Sequence, residues 1–87
     1  MIPDEFIELY YGKSKVVDLH NLTKQEAIAR LIYELNSVDV GVDCLIIIHG
    51  YHGGVVIKNL VRKEFEHKMI AQKVVLDAGR TIYLLKK

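Results

Sequence analysis

The chain has 87 residues, 51% apolar and 26% charged, the balance of one small globular domain with a thin stability margin. Its longest uncharged apolar run, Cys44–Ile48, is far too short to cross a bilayer, and the acidic opening lacks the positive region of a secretory signal, so a cytoplasmic location and no membrane partner are expected. The net charge of +1 hides a split: through Ile57 there are four basic residues against eight acidic ones, and from Lys58 onward eight against three, a basic half compatible with a polyanionic partner.

Residues 1–14 form a leader. Phe6, Ile7, Leu9, Tyr10 and Tyr11 make it too apolar for a solvated tail, so it is expected to pack on the domain or on a partner, and the domain proper spans 15–87. Residues 15–19 read as a strand, with Val16, Val17 and Leu19 supplying its character and Asn21 beginning the turn. Thr23 then opens a helix. Thr23 and Glu26 fit a capping box, Ala27, Ile28, Leu31, Ile32, Leu35 and Val38 recur at helical spacing, and Gly41 is a stop signal. A second strand is expected over 43–48. Its unbroken apolar run suits a strand buried on both faces, and Cys44 within it reads as an inert thiol with no disulfide partner. A glycine-containing loop follows, then a second helix over 55–67, with Ile57, Leu60, Val61 and Phe65 on its apolar side. Strands over 73–77 and 81–85, joined by a turn at Ala78, Gly79 and Arg80, close the chain. The order β-α-β-α-β-β implies a two-layer α/β sandwich: a mixed four-stranded sheet with both helices on one face.

In such a sheet, ligands bind beyond the carboxyl ends of the parallel strands. Asp18, Leu19 and His20 leave the first strand there, and His49 and Gly50 leave the second. Residues two apart in extended chain share a face, so Asp18 and His20 point together and the carboxylate can hold the imidazole's tautomer. If the two strands are neighbours, His49 joins them. The following loop, Gly50, Tyr51, His52, Gly53 and Gly54, lets backbone N–H groups approach an anion ahead of a helix. A carboxylate, two imidazoles and an anion-binding turn suit phosphodiester chemistry.

These segments resemble the Smr (small MutS-related) domain. That family carries Leu-Asp-Leu-His-Gly at its first strand and His-Gly-x-Gly-x-Gly after its second. Here the matching residues are Val17, Asp18, Leu19, His20 and Asn21, and then Ile48 through Gly54; Ala78 through Leu85 resembles the family's closing glycine turn and last strand. The likeness covers roughly residues 15–86. It implies a fold similar to the C-terminal domain of a translation initiation factor, and nicking or cleavage of DNA or RNA by proteins fused to MutS-like chains or acting on messenger RNA at ribosomes. Carried over, Asp18 and His20 belong to the catalytic motif and His49, Gly50 and Gly54 to the substrate loop. Three positions depart from the pattern: Asn21 replaces a glycine, Tyr51 stands where the family often has lysine, and His52 where it has the middle glycine.

Each residue also has a plainer reading. Asp18 can brace its turn, His49 can be a satisfied structural histidine, His52 and His67 can be merely exposed, and Gly50 and Gly54 can serve backbone geometry alone. Lys58, Arg62 and Lys63 read either as a solvated helix face or as phosphate contacts. Asp18, His20, His49 and His52 are ligand types for zinc or manganese but lack a metal-site spacing, so no metal or other cofactor is expected. The leading expectation is an endonuclease with Asp18, His20 and His49 as its catalytic set, metal-independent, and with Gly50 through Gly54, Lys58 and Arg62 on the nucleic acid. The alternatives are a non-catalytic DNA-, RNA- or ribosome-binding module, and a protein-interaction domain using the apolar leader. A monomer or weak oligomer is expected.

Overall fold

The computed structural model describes residues 4–50 and 55–86. In chain order they form α1 (Asp4–Tyr11), β1 (Ser14–Asp18), α2 (Lys24–Asn36), β2 (Cys44–Ile48), α3 (Val55–Asn59) continuing as a π-helical stretch (Leu60–Glu64), β3 (Ile70–Asp77) and β4 (Arg80–Leu85). The sheet order is β1-β2-β4-β3, with β1 parallel to β2 and the other two pairings antiparallel. The fold is therefore an α/β sandwich on a mixed four-stranded sheet.

Strand alternation sorts the core into two clusters. Val17, Leu45, Ile47, Tyr83 and Leu85 face one layer, where Ala27, Leu31 and Leu35 of α2 and Ile57, Leu60, Val61 and Phe65 from the α3 segment meet them. Cys44, Ile46 and Ile82 face the other side, where Ile7 of α1 covers them. The run Cys44–Ile47 is at most 1% exposed because both faces of β2 are covered, which is why the strand has no polar alternation. Burial pushes the Cys44 thiol up to about 11, so it stays protonated and unreactive at neutral pH. Gly12 makes the return from α1 possible. Its φ of +88° is a left-handed conformation, and a β-carbon there would collide with the Asp43 carboxylate that accepts from Lys13 N–H at 2.8 Å.

The α2 entry is the expected capping box: Thr23 Oγ1 accepts from Glu26 N–H at 3.1 Å, and Glu26 Oε1 accepts from Thr23 N–H at 2.9 Å. Replacing Thr23 with alanine is expected to lower unfolding free energy by about 1 kcal/mol, read as a shift of the urea midpoint at unchanged slope. The helix stops at Asn36, short of Val38 and Gly41, because Ser37 Oγ and N–H both donate to Tyr33 O and close its last turn.

The second sandwich helix also differs from the expected span. It ends at Glu64 rather than His67, and its second half is π-helical: Phe65 N–H donates back five residues to Leu60 O at 2.8 Å. Phe65 N–H would be the α-helical partner of Val61 O. The Tyr83 hydroxyl takes over that carbonyl, donating to Val61 O at 2.7 Å from the centre of β4. β3 starts at Ile70, earlier than residue 73, since Ile70 finds Leu85 opposite it across a register irregularity.

Candidate functional site

The carboxyl ends of β1 and β2 lie side by side. Asp18 sits opposite Ile48, and Leu19 N–H donates to Ile48 O at 2.7 Å, carrying the parallel ladder one residue past β1. Leu19 is fully buried under the helix layer, so its neighbours Asp18 and His20 turn outward together. His20 Nδ1 hydrogen-bonds to Asp18 Oδ1, and His20 N–H donates to the same oxygen at 3.1 Å. Partial burial pushes the Asp18 carboxyl up, but the His20 ring and backbone N–H outweigh it and hold the group below its usual range. The imidazole and carboxylate side chains remain 54% and 47% exposed, open to an incoming strand, and Nε2 has no partner among the described residues. Asn21 then turns the chain with φ of 67°, the left-handed conformation for which the resembled family uses glycine and which Asn tolerates well.

His49 does not join this pair. Leaving β2 on the helix side, the residue is 2% exposed and both ring nitrogens are engaged: Nδ1 with Gly50 O at 3.0 Å and Nε2 with Thr81 Oγ1 at 3.0 Å. Gly50 O fixes the proton. A carbonyl only accepts, so Nδ1 carries the hydrogen and donates it to Gly50 O, and Nε2 of the neutral ring accepts from the Thr81 hydroxyl, whose oxygen also accepts from Arg62 Nε–H at 2.7 Å. Burial, with the Arg62 and Lys58 charges, pushes the imidazole below its ordinary value against the pull of Gly50 O and Asp77. A neutral, enclosed ring has no nitrogen left for substrate. The expected second proton carrier is a structural histidine.

Arg62 is likewise turned inward. Besides Thr81 it donates through Nη2 to Asp77 O at 2.5 Å and Arg80 O at 3.2 Å, gripping the β3–β4 hairpin instead of projecting toward a phosphate. The hairpin reaches back in turn: Gly79 O accepts from both His49 N–H (2.9 Å) and Gly50 N–H (3.1 Å). The Gly50 N–H, expected to meet an anion, is thus already satisfied. Gly50 itself has φ of +74° and passes close to His20, whose β-carbon would lie 3.7 Å from any β-carbon added at Gly50. Lys58 is half-buried in α3 and Lys63 is exposed on the π-helical stretch. Tyr51, His52, Gly53 and Gly54 lie outside the described residues. Elsewhere in the basic half, Lys73 donates to Phe65 O and pairs with Glu66, and Arg80 pairs with Asp77, so several of those cations brace the fold rather than form a free patch. His67 is held by Asn36 Oδ1 at 2.9 Å and accepts from Met69 N–H at 3.0 Å, a structural role.

Among the described residues, no three His, Cys, Asp or Glu side chains gather as a metal-holding group, and no helix is long and apolar enough to cross a membrane. Thr81 is the residue that the sequence reading passed over. Its only sequence signal is parity with Tyr83 and Leu85, which marks it as a polar side chain directed at the core. Comparison with protein-family models, with curated proteins and with solved structures finds no match in any of the three.

The lowered groups set the pH response of stability. A histidine whose folded pKa lies below 6.5 contributes its full stability above 6.5 and loses it as pH falls through the folded value, because the unfolded chain takes up the proton first. Asp18, Glu34 and Asp77, all held below their ordinary 3.8–4.5, add a second loss as pH falls further through their folded values. Urea midpoints measured across acidic pH are expected to fall in these two stages. His49→Gln should flatten the first stage and spare the second; an unchanged first stage would assign it to another group.

Proposed function

We propose that this chain acts on nucleic-acid backbones as an Smr-type endonuclease in which His20 moves the proton and Asp18 orients it. The supporting observation is the exposed Asp18–His20 pair at the carboxyl ends of two parallel strands, with Nδ1 committed to the carboxylate and Nε2 without a partner among the described residues. With the proton on Nδ1, Nε2 is an acceptor placed for general-base work. On RNA it would take the 2′-hydroxyl proton as the 2′-oxygen attacks phosphorus; the 5′-oxygen leaves and regains a proton from the imidazolium or from water. On DNA the same nitrogen would take a proton from a water attacking phosphorus, and the ester oxygen opposite it would leave and regain a proton from the imidazolium or from water. The test is incubation of the purified chain with single-stranded RNA and with supercoiled plasmid, with and without EDTA. Cleavage that persists in EDTA supports the metal-independent form of the reading, and EDTA-sensitive cleavage would replace it with a metal-assisted one.

The buried His49 favours a second reading. Acid–base cleavage commonly uses two proton carriers, and of His20 and His49, the two described imidazoles expected to serve, only His20 is accessible. A non-catalytic nucleic-acid- or ribosome-binding module would show salt-dependent association, through counterion release, and no turnover.

A further inference from the structure

The sequence pattern draws attention to exposed groups, yet two of the three buried polar side chains among the described residues, His49 and Thr81, belong to one connected set beneath the site. The set joins segments far apart in the chain. Arg62 stands on the π-helical stretch, Thr81 on β4 and His49 at the exit of β2. Its hydrogen bonds run from one segment to the next. Arg62 Nε–H goes to Thr81, the Thr81 hydroxyl to His49 Nε2, and His49 Nδ1–H to Gly50 O. Gly50 is thereby held at both backbone groups, its C=O by the His49 ring and its N–H by Gly79 O. The residue so held is the one that passes beside His20.

We infer that Arg62 and Thr81 are positioning residues. Through the Thr81 hydroxyl they hold the His49 ring at Nε2, and the ring so held fixes, through Nδ1–H, the Gly50 turn that passes beside His20. The alternative tautomer, with hydrogen on Nε2, would leave the Gly50 carbonyl facing a lone pair. In a buried network such a mismatch is costly, so the proton pattern and the backbone position are coupled. Arg62 matters because it donates to Thr81 Oγ1, and its grip on the Asp77 and Arg80 carbonyls keeps the hairpin, and with it Thr81, in register. The purpose assigned to this turn rests on the endonuclease reading. The lock on the ring itself does not.

The experiment separates the two. In isotope-labelled protein at mildly alkaline pH, the ring nitrogens of His49 are expected to show a protonated Nδ1 and an unprotonated Nε2, while the backbone amide of Gly50 exchanges slowly. Thr81→Ser should keep both signatures. Thr81→Val, which keeps the shape and loses the hydroxyl, should remove the donor to Nε2, move the Nε2 nitrogen signal and speed Gly50 exchange at least tenfold. Should Thr81→Val fold poorly, Arg62→Met at its half-buried position carries the same expectation for Gly50 exchange. In cleavage assays, Thr81→Val is expected to lose about 10²-fold in kcat with KM little changed, through misplacement of the site, and Thr81→Ser to restore it. A Thr81→Val or Arg62→Met protein with unaltered Gly50 exchange overturns the inference. A wild-type chain that cleaves nothing overturns the endonuclease reading alone, since the ring-nitrogen and exchange measurements still decide the lock.

Discussion

His20→Ala is expected to reduce cleavage of single-stranded RNA or nicking of plasmid by about 10²–10⁴-fold, the usual contribution of a positioned general base, with substrate affinity largely retained. The side chain is exposed and its only described side-chain partner is Asp18, so the variant should fold with near-wild-type stability. Asp18→Asn should do less. An amide can still accept from Nδ1–H, but a charge-assisted hydrogen bond becomes a neutral one of roughly half the strength, a difference of about 1 kcal/mol and so somewhat under tenfold in rate. The two variants together should fall little below His20→Ala alone, because the carboxylate acts through the ring. Undiminished cleavage by His20→Ala would remove the pair from the chemistry. Where the wild-type chain cleaves nothing, the non-catalytic reading stands or falls on whether binding weakens with salt.

The largest stability effect is expected at Tyr83. Its ring is fully buried in the central strand, stacks on Phe65 with centroids 6.5 Å apart and planes at 7°, and lies beneath Lys73 Nζ at 5.8 Å from its centroid. Burial pushes the phenol well above its ordinary range, so it is a neutral donor at any working pH. Tyr83→Ala should cost about 3–5 kcal/mol through lost contacts and a residual cavity. A domain of 87 residues has about 4–13 kcal/mol in total, so this variant sits near the edge of folding. Tyr83→Phe isolates the hydroxyl. It should cost about 1–3 kcal/mol because it orphans the Val61 carbonyl that the π-turn leaves without its α-helical donor. Urea unfolding of the two variants measures both. A Tyr83→Phe protein as stable as wild type would mean that Val61 O finds another donor.

Most of the architecture was legible because it rests on periodicity. The unbroken run of β2, the helical stripe from Ala27 to Leu35 and the Thr23–Glu26 box each report a local rule that tertiary packing did not override. The misreadings occur where one segment completes another. Nothing near Leu60 announces that Tyr83 will accept responsibility for a helix carbonyl, so the π-helical stretch reads as ordinary helix. Nothing beside His49 reveals that Thr81 and Arg62 will saturate its ring. Asp18 and His20 were legible as a pair because their geometry depends only on neighbours in sequence. The apolar leader was legible in composition but not in destination: Ile7 covers Cys44 and Ile46, while Phe6, Leu9 and Tyr10 stay exposed.

The sheet order has a consequence for synthesis. β4 follows the other strands in the chain yet lies between β2 and β3. Until residues 80–85 leave the ribosome, one edge of Cys44–Ile48 stays unpaired, a short apolar β-prone stretch of the kind that recruits other strands. The turn beside His20 also lacks its Gly79 anchor until then. A nascent chain cut short before β4 therefore carries the Asp18–His20 motif without its anchored turn and a sticky edge without its cover, so aggregation and inactivity should appear together in such truncations.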